Sequence, residues 1–285
     1  MDVFKTIKAM QQYSMEQKRN GKTVAVVPTM GFLHDGHMSL IDLARKNADV
    51  VVVTVFVNPT QFGPNEDFAQ YPRDFEHDRR LCEEHGVQAI FAPEPKEMYP
   101  ADCSTWVTEE KLSRGLCAKT RPTHFRGVAT VVTKLFHAVL PDVAVFGQKD
   151  AQQALILGRM IRDLNFPIRM IVGPIVREAD GLALSSRNKY LSAEDRSRAP
   201  AISHSLAAAQ ARMASFPDTD PAELRERIVA EITGSGGRID YVEVLDAATL
   251  ESPEVKTTRL IIAVAVYYGA TRLIDNVLID MVGKQ

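Results

Sequence analysis

The run Val50–Val57 (VVVVTVFV) carries no charged residue and one hydroxyl. A strand with one wet face alternates polar and apolar residues, so a run without a polar face is a strand covered on both sides. Thr23–Val27 (TVAVV), closed by Pro28, has the same character, and Ala89–Phe91, Val143–Phe146 and Ile168–Val172 repeat it. Helical patterns separate these runs, over His37–Asn47, Val128–Leu140 and Gln152–Leu164. Short buried strands alternating with amphipathic helices build parallel βαβ units. The expected fold class is therefore α/β: a doubly wound, parallel-sheet (Rossmann-like) N-terminal domain over residues 1–175.

The pattern changes after Asp180-Gly181. Helices near Pro200–Phe216 and Ala222–Thr233 precede strands at Ile239–Leu245, Leu260–Tyr267 and Leu273–Leu278. Helices followed by strands indicate a smaller α+β C-terminal domain, over residues 176–285. Within it the Ala-rich run Leu206–Ala214 reads as ordinary helix surface.

Composition narrows the function classes. With 285 residues, 45% hydrophobic and 25% charged, the chain can bury a large core without staples. A net charge of −2 leaves no basic field for nucleic acid, so groups that bind phosphate must be local. Cys82, Cys103 and Cys117 are odd in number and lack metal-site spacing, which reads as structural thiols in a reducing, cytoplasmic setting. The N-terminus has no continuous apolar core of the signal-peptide kind, and no apolar run approaches the ~20 residues of a membrane helix. A soluble protein with no membrane partner is expected.

Four segments carry chemistry. Pro28–His37 (PTMGFLHDGH) links a strand's carboxyl end to a helix start, the place where open α/β sheets bind ligands. Gly31 and Gly36 let backbone approach a ligand, and a helix N-terminus favours an anion. His34 and His37, three residues apart, can face one phosphate chain. A polar turn with incidental histidines is the plainer alternative; a zinc pair lacks a third ligand nearby. Asn58-Pro-Thr-Gln61 follows the second strand, and its amides suit a small polar substrate, although a capped turn would also use them. Gly147-Gln148-Lys149-Asp150 offers close approach, a mobile cation and a carboxylate that could read a ribose hydroxyl or cap a helix, with Gln153 on the next turn. Arg177–Asn188 (READGLALSSRN) places hydroxyls and a guanidinium at the proposed domain joint, as a leaving pyrophosphate requires, or else forms a charged linker.

Together with FVNPTQFGPNEDFAQYPRD and THFRGVATVV, these segments resemble the pantothenate synthetase family, within the nucleotidyltransferases that carry HIGH-type and KMSKS-type signatures. The resemblance covers about Val24 to Leu191 and thins out beyond. It implies an ATP site formed by Met30, Gly31, Phe32, Leu33, His34, Asp35, Gly36 and His37, with Gly147, Gln148, Lys149, Asp150 and Val176. Leu184, Ser185, Ser186 and Arg187 would close over the triphosphate. His34, His37, Lys149, Ser185, Ser186 and Arg187 would be the catalytic groups. Gln61, Gln153 and Asn58 would hold pantoate and β-alanine. Magnesium would ride mainly on the ATP phosphates, with Asp78 as a metal partner, and the assembly would be a homodimer. Leu184, Ala151 and Thr123 stand where the family commonly has Met, Tyr and Gly.

The implied activity is ATP-dependent joining of (R)-pantoate to β-alanine through pantoyl adenylate, releasing AMP and pyrophosphate. Another nucleotidyltransferase of the same superfamily would share HxGH and the phosphate loop but needs no Gln61/Gln153 pair. A catalytically silent nucleotide-binding protein is the remaining alternative. A tRNA synthetase fits less well than these, since the sequence shows no anticodon-binding extension and no basic excess for RNA.

Overall fold

The computed structural model describes residues 1–63, 66 and 68–281. Pro64, Asn65 and Asp67 of the NPTQFGPNEDFAQ segment, and residues 282–285 of the expected C-terminal domain, lie outside the described residues.

The chain divides into two compact units, one of Met1–Gln148 with Gln152–Pro174, the other of Lys149–Ala151 with Ile175–Gln285. In the first unit, strands β1 (Asp2–Phe4), β2 (Val24–Thr29), β3 (Val50–Val55), β4 (Ala89–Phe91), β5 (Val143–Gly147) and β6 (Arg169–Gly173) form one sheet. Helices α1 (Ile7–Arg19), α2 (Asp35–Arg45), α3 (Phe75–Glu84), the single turns α4 (Pro95–Met98) and α5 (Cys117–Thr120), α6 (His124–Val139) and α7 (Ala151–Asp163) connect them. The strand order is β1-β4-β3-β2-β5-β6, and every pairing is parallel.

The burial pattern explains the apolar runs. Val24, Val26, Val50 and Val52 face a core shared with Met10 of α1, with α6 and with Leu157 of α7. Their neighbours Ala25, Val27, Val51 and Val53 face the opposite core, shared with Met38 and Ile41 of α2 and Cys82 of α3. Successive strand side chains point to opposite faces, so strands covered on both sides read as nearly unbroken apolar runs, with Thr54 the buried hydroxyl of β3.

The second unit holds an antiparallel sheet, β7 (Arg238–Asp246), β8 (Arg259–Tyr268) and β9 (Thr271–Asp280), in that order. Helices α8 (Ala193–Arg198), α9 (Ala201–Ser215) and α10 (Pro221–Gly234) precede it. Its core joins Ile202, Leu206 and Met213 of α9 and Leu224 and Ile228 of α10 to Val242, Val264 and Leu273 of the sheet. The Ala-rich run is therefore not plain helix surface: Leu206, Ala209 and Met213 are buried and recur at the spacing of one helix face.

Helices α1 and α3 are absent from the sequence reading because both are dominated by polar residues. The termini of both are nonetheless encoded, since Thr6 Oγ1 accepts the Ala9 amide at 3.3 Å and Asp74 Oδ1 accepts the His77 amide at 3.0 Å.

Candidate active site

Strand β2 pairs with β3 on one side and β5 on the other, so the strand order reverses direction between β2 and β5. Crevices at such switch points, outside the carboxyl ends of the strands, are where open α/β sheets take ligands. Met30–His37 leaves β2 there, and β5 ends there at Gly147, with Gln148 next in the chain.

The turn after β2 is over-determined. Thr29 Oγ1 donates to the Thr54 carbonyl at 2.6 Å and accepts the Gly31 amide at 3.1 Å. Gly31 has φ of +81°, and a Cβ there would lie 2.8 Å from Asp78 Oδ2 and 3.0 Å from Val55 Cγ1. No other residue fits, on conformation and on space alike. Phe32 follows at φ 53°, and its amide donates to Asp78 Oδ2 at 2.9 Å, while the Leu33 amide donates to Asp78 Oδ1 at 2.7 Å.

Asp78 is therefore placed otherwise than a metal partner would be. It is buried within α3, and each carboxylate oxygen is engaged by a backbone amide of the turn. Burial pushes its carboxyl up, against the lowering pull of the two amides. Among the described residues no group of three His, Cys, Asp or Glu side chains could hold a metal ion.

His34 and His37 begin α2 as a reciprocal cap. His34 Nδ1 accepts the Gly36 amide at 3.2 Å, and His37 Nδ1 accepts the His34 amide at 3.3 Å. Their ring centroids are 4.1 Å apart. A ring nitrogen that accepts from an N–H presents its lone pair, so in the neutral imidazole the proton sits on Nε2. Both rings thus hold one tautomer, fixed by the helix end itself. Asp35 occupies the first turn, where a negative charge suits the helix dipole.

The second segment, after β3, converges on Gln61. Asn58 is 1% exposed, and its side chain is consumed by the scaffold. Its Oδ1 accepts Thr60 Oγ1 and Tyr99 Oη, both at 3.0 Å, while its Nδ2 donates to the Gly127 carbonyl at 3.2 Å and to Gln61 Oε1 at 3.1 Å. Asn58 is thereby a support for Gln61, and the expectation that it touches substrate is replaced. With Oε1 held, the Gln61 Nε2 group points toward Met30 Sδ, 3.3 Å away. The Gln61 carbonyl also accepts Arg121 Nη2 at 3.2 Å and lies 2.9 Å from His124 Nδ1. Met30, Asn58, Gln61, Arg121 and His124 are therefore one neighbourhood; the last two were missed, although both lie within the RPTHFRG stretch.

On α7, Gln153 is half-buried on the first turn. Its neighbour Gln152 is buried and works for the scaffold, donating to the Leu112 and Gly115 carbonyls at 2.8 and 2.9 Å and accepting the Cys117 amide at 3.1 Å. Cys82 and Cys117 are buried, Cys103 is partly so, and burial helped by Asp78 pushes the Cys82 thiol up to about 12, far from a reactive thiolate.

In the second unit the structure joins the other predicted residues. Leu184 donates its amide to the Val176 carbonyl at 2.9 Å, and an Arg177–Ala183 bridge closes a hairpin turning at Gly181, φ +90°. Ser185 Oγ accepts the Arg187 amide at 3.3 Å, capping the short turn of helix Ser186–Tyr190. Lys149, Ser185, Asn188 and Asp275 line one small cavity, and Lys149 Nζ lies 3.8 Å from Asp150 Oδ2. Ala151 begins α7, and Thr123 precedes α6 without a side-chain capping bond.

Comparison with known proteins adds chemistry to this geometry. A family model described as pantoate-beta-alanine ligase matches residues 2–278. The pantothenate synthetase of Thermotoga petrophila is 51% identical over 280 residues, 98% of this chain and 100% of its own. That of Moorella thermoacetica is 51% identical over 282 residues, 99% of each chain. Among solved structures, pantothenate synthetase from Thermus thermophilus superposes with a TM-score of 0.89 at 41% identity, covering 97% of this chain and 99% of its own. The pantoate-beta-alanine ligase of Francisella tularensis, complexed with beta-gamma ATP and beta-alanine, gives 0.76 at 32% identity, covering 98% and 97%.

Proposed function

The chain belongs to the pantoate–β-alanine ligase family, and on that premise we propose how its residues divide the work of the reaction. The enzyme forms pantothenate from (R)-pantoate and β-alanine with ATP as co-substrate. A carboxylate does not react with an amine in water, because oxide is too poor a leaving group. A pantoate carboxylate oxygen therefore attacks the α-phosphorus of ATP, the bond to the β-phosphate oxygen breaks, and pyrophosphate departs. The neutral amine of β-alanine then attacks the acyl carbon of pantoyl adenylate. The carbon–oxygen bond to AMP breaks, and the amine nitrogen gives up a proton.

No enzyme nucleophile is needed; positioning and charge stabilisation are the work. His34 and His37 donate from Nε2 to phosphate oxygens as charge builds on the departing group. Lys149, Ser186 and Arg187 stabilise the same triphosphate, with Ser185 capping the segment that carries Arg187. Gln61 and Gln153 hold pantoate, and Gln61 helps place β-alanine. Met30, Gly31, Phe32, Leu33, Asp35, Gly36, Gly147, Gln148, Asp150, Val176 and Leu184 complete the ATP pocket. One observation carries this assignment: the reciprocal capping of α2 by His34 and His37 fixes both tautomers at the sheet's switch point.

The described residues offer no protein cage for magnesium. We propose that the ion enters on ATP itself, since Mg²⁺ commonly binds through substrate phosphates and retained waters. Family resemblance supports a homodimer, and three cysteines that form no disulfide fit the cytoplasm. No helix of the described residues is long and apolar enough to cross a membrane.

The test is amide formation from (R)-pantoate and β-alanine against a panel of other acids and amines. The expected products are AMP and pyrophosphate, formed in step with the amide. Formation of ADP, or equal use of unrelated acids, contradicts the reading.

A further inference from the structure

Strand β9 carries two consecutive buried polar residues, Asp275 and Asn276, each 3% exposed. Consecutive strand residues face opposite sides of a sheet, and here the register sets Asp275 opposite Val264 and Asn276 opposite Ala263. Neither residue is required by the sheet, and an apolar pair would cost less to bury. Their partners give the reason for their presence.

Asp275 receives the Arg177 guanidinium as a fork, Nη1 to Oδ2 at 2.6 Å and Nη2 to Oδ1 at 3.0 Å. The same Nη1 also donates to the Gly181 carbonyl at 3.1 Å. Arg177 thereby pins the stem and the turn of the Val176–Leu184 hairpin to the strand. The far end of that segment is tied back as well, since Asn188 Nδ2 donates to Glu178 Oε1 at 2.7 Å and to the Ala183 carbonyl at 3.1 Å. Ser185–Arg187 is suspended between these two anchors. On the other face of β9, Asn276 Nδ2 donates to the Lys149 carbonyl at 3.1 Å. Lys149 follows β5 closely in the chain, yet it groups with the second unit.

We propose that Asp275 and Asn276 are positioning residues for adenylation: one strand holds Lys149 and the Ser185–Arg187 segment at a fixed spacing, as a single triphosphate-binding body. The inference rests on the reading above that these residues meet the triphosphate. Neither β9 residue touches substrate; each acts through the segment it holds. A bidentate fork and a buried amide suit this task, because both fix direction as well as distance.

The test uses the full chain and reads pyrophosphate exchange into ATP, with apparent KM measured separately for ATP and pantoate. Asn276→Leu keeps the side-chain volume and removes the donor to Lys149; Arg177→Lys keeps the charge beside Asp275 and removes the fork. Each should lower the exchange rate by up to ~10²-fold, the effect of displacing a reacting group by about an ångström. The pantoate KM and the thermal midpoint should stay at wild-type values, which a merely structural role would not produce. Lys149→Ala and Arg187→Ala run alongside. If those two lose exchange while Asn276→Leu and Arg177→Lys keep it, the positioning role is wrong and the site reading stands. If Lys149→Ala and Arg187→Ala keep wild-type exchange, both fall. A loss shared equally by the pantoate KM, or one that follows a drop in thermal midpoint, also overturns the proposal. Should Asn276→Leu fail to fold, Arg177→Lys decides by the same criteria.

Discussion

A methyl group at position 127 would sit 2.4 Å from the Thr60 carbonyl oxygen and 2.8 Å from the Gln61 nitrogen. Helix α6 reaches the Asn58–Gln61 segment only because Gly127 has no side chain. Gly127→Ala should therefore push that segment away and weaken pantoate use more than ATP use. Overpacking of this kind costs about 1–3 kcal/mol, so the variant should fold with a lowered thermal midpoint and a raised pantoate KM. A wild-type pantoate KM in the folded variant would contradict the support assigned to Gln61. His37 is tested on the same scale. If His37 meets the phosphates as proposed, His37→Ala removes one donor aimed at developing charge, worth about 2.7–4 kcal/mol or ~10²–10³ in kcat. Near-normal turnover by the folded variant would remove His37 from the phosphates.

At the scale of elements, the Asn58–Gln61 segment leans on an ion pair. Arg121 Nε donates to Glu66 Oε1 at 2.7 Å while Nη2 reaches the Gln61 carbonyl. Burial pushes the Glu66 carboxyl up, but the hydrogen bonds and charge of Arg121 outweigh it and hold the group below the usual glutamate range. A carboxyl with a depressed folded value stabilises the fold above its unfolded value, about 4.3, and loses that contribution as pH falls through the folded value. Glu66→Gln should thus lower the thermal midpoint at neutral pH by a margin that shrinks below pH ~4. The pair is partly solvated, so the margin should be under about 1 kcal/mol. A margin constant down to acid pH would mean that the ion pair is not its source. The same scale shows what was legible in the sequence. Val50–Val57 and Thr23–Val27 announced a sheet covered on both faces because periodicity survives in one dimension. Helices α1 and α3 did not, since their information lies in capping residues more than in an apolar face. The roles of Asn58, Asp78 and Gln152 were illegible for another reason. A buried polar side chain looks like a ligand until its partners are known, and those lie 45 residues away for Asp78 and 40 for Gln152.

For the molecule as a whole, the family match names the reaction, and the switch point between β2 and β5 is the kind of crevice where such sheets take ligands. The hydrogen bonds of Asn58 and Asp78 make them supports of the two turns, and Gln61 as a substrate contact is the proposal that the pantoate kinetics test. On the proposed mechanism the acid is activated before any amine arrives, because AMP is the leaving group that makes amide formation feasible. An adenylate held this way must also be kept from water. The direct measurement is exchange of labelled pyrophosphate into ATP by the intact enzyme with magnesium and pantoate and no β-alanine. Exchange should require pantoate and proceed without the amine. Exchange that depends strictly on β-alanine, in an enzyme competent for the full reaction, would contradict it.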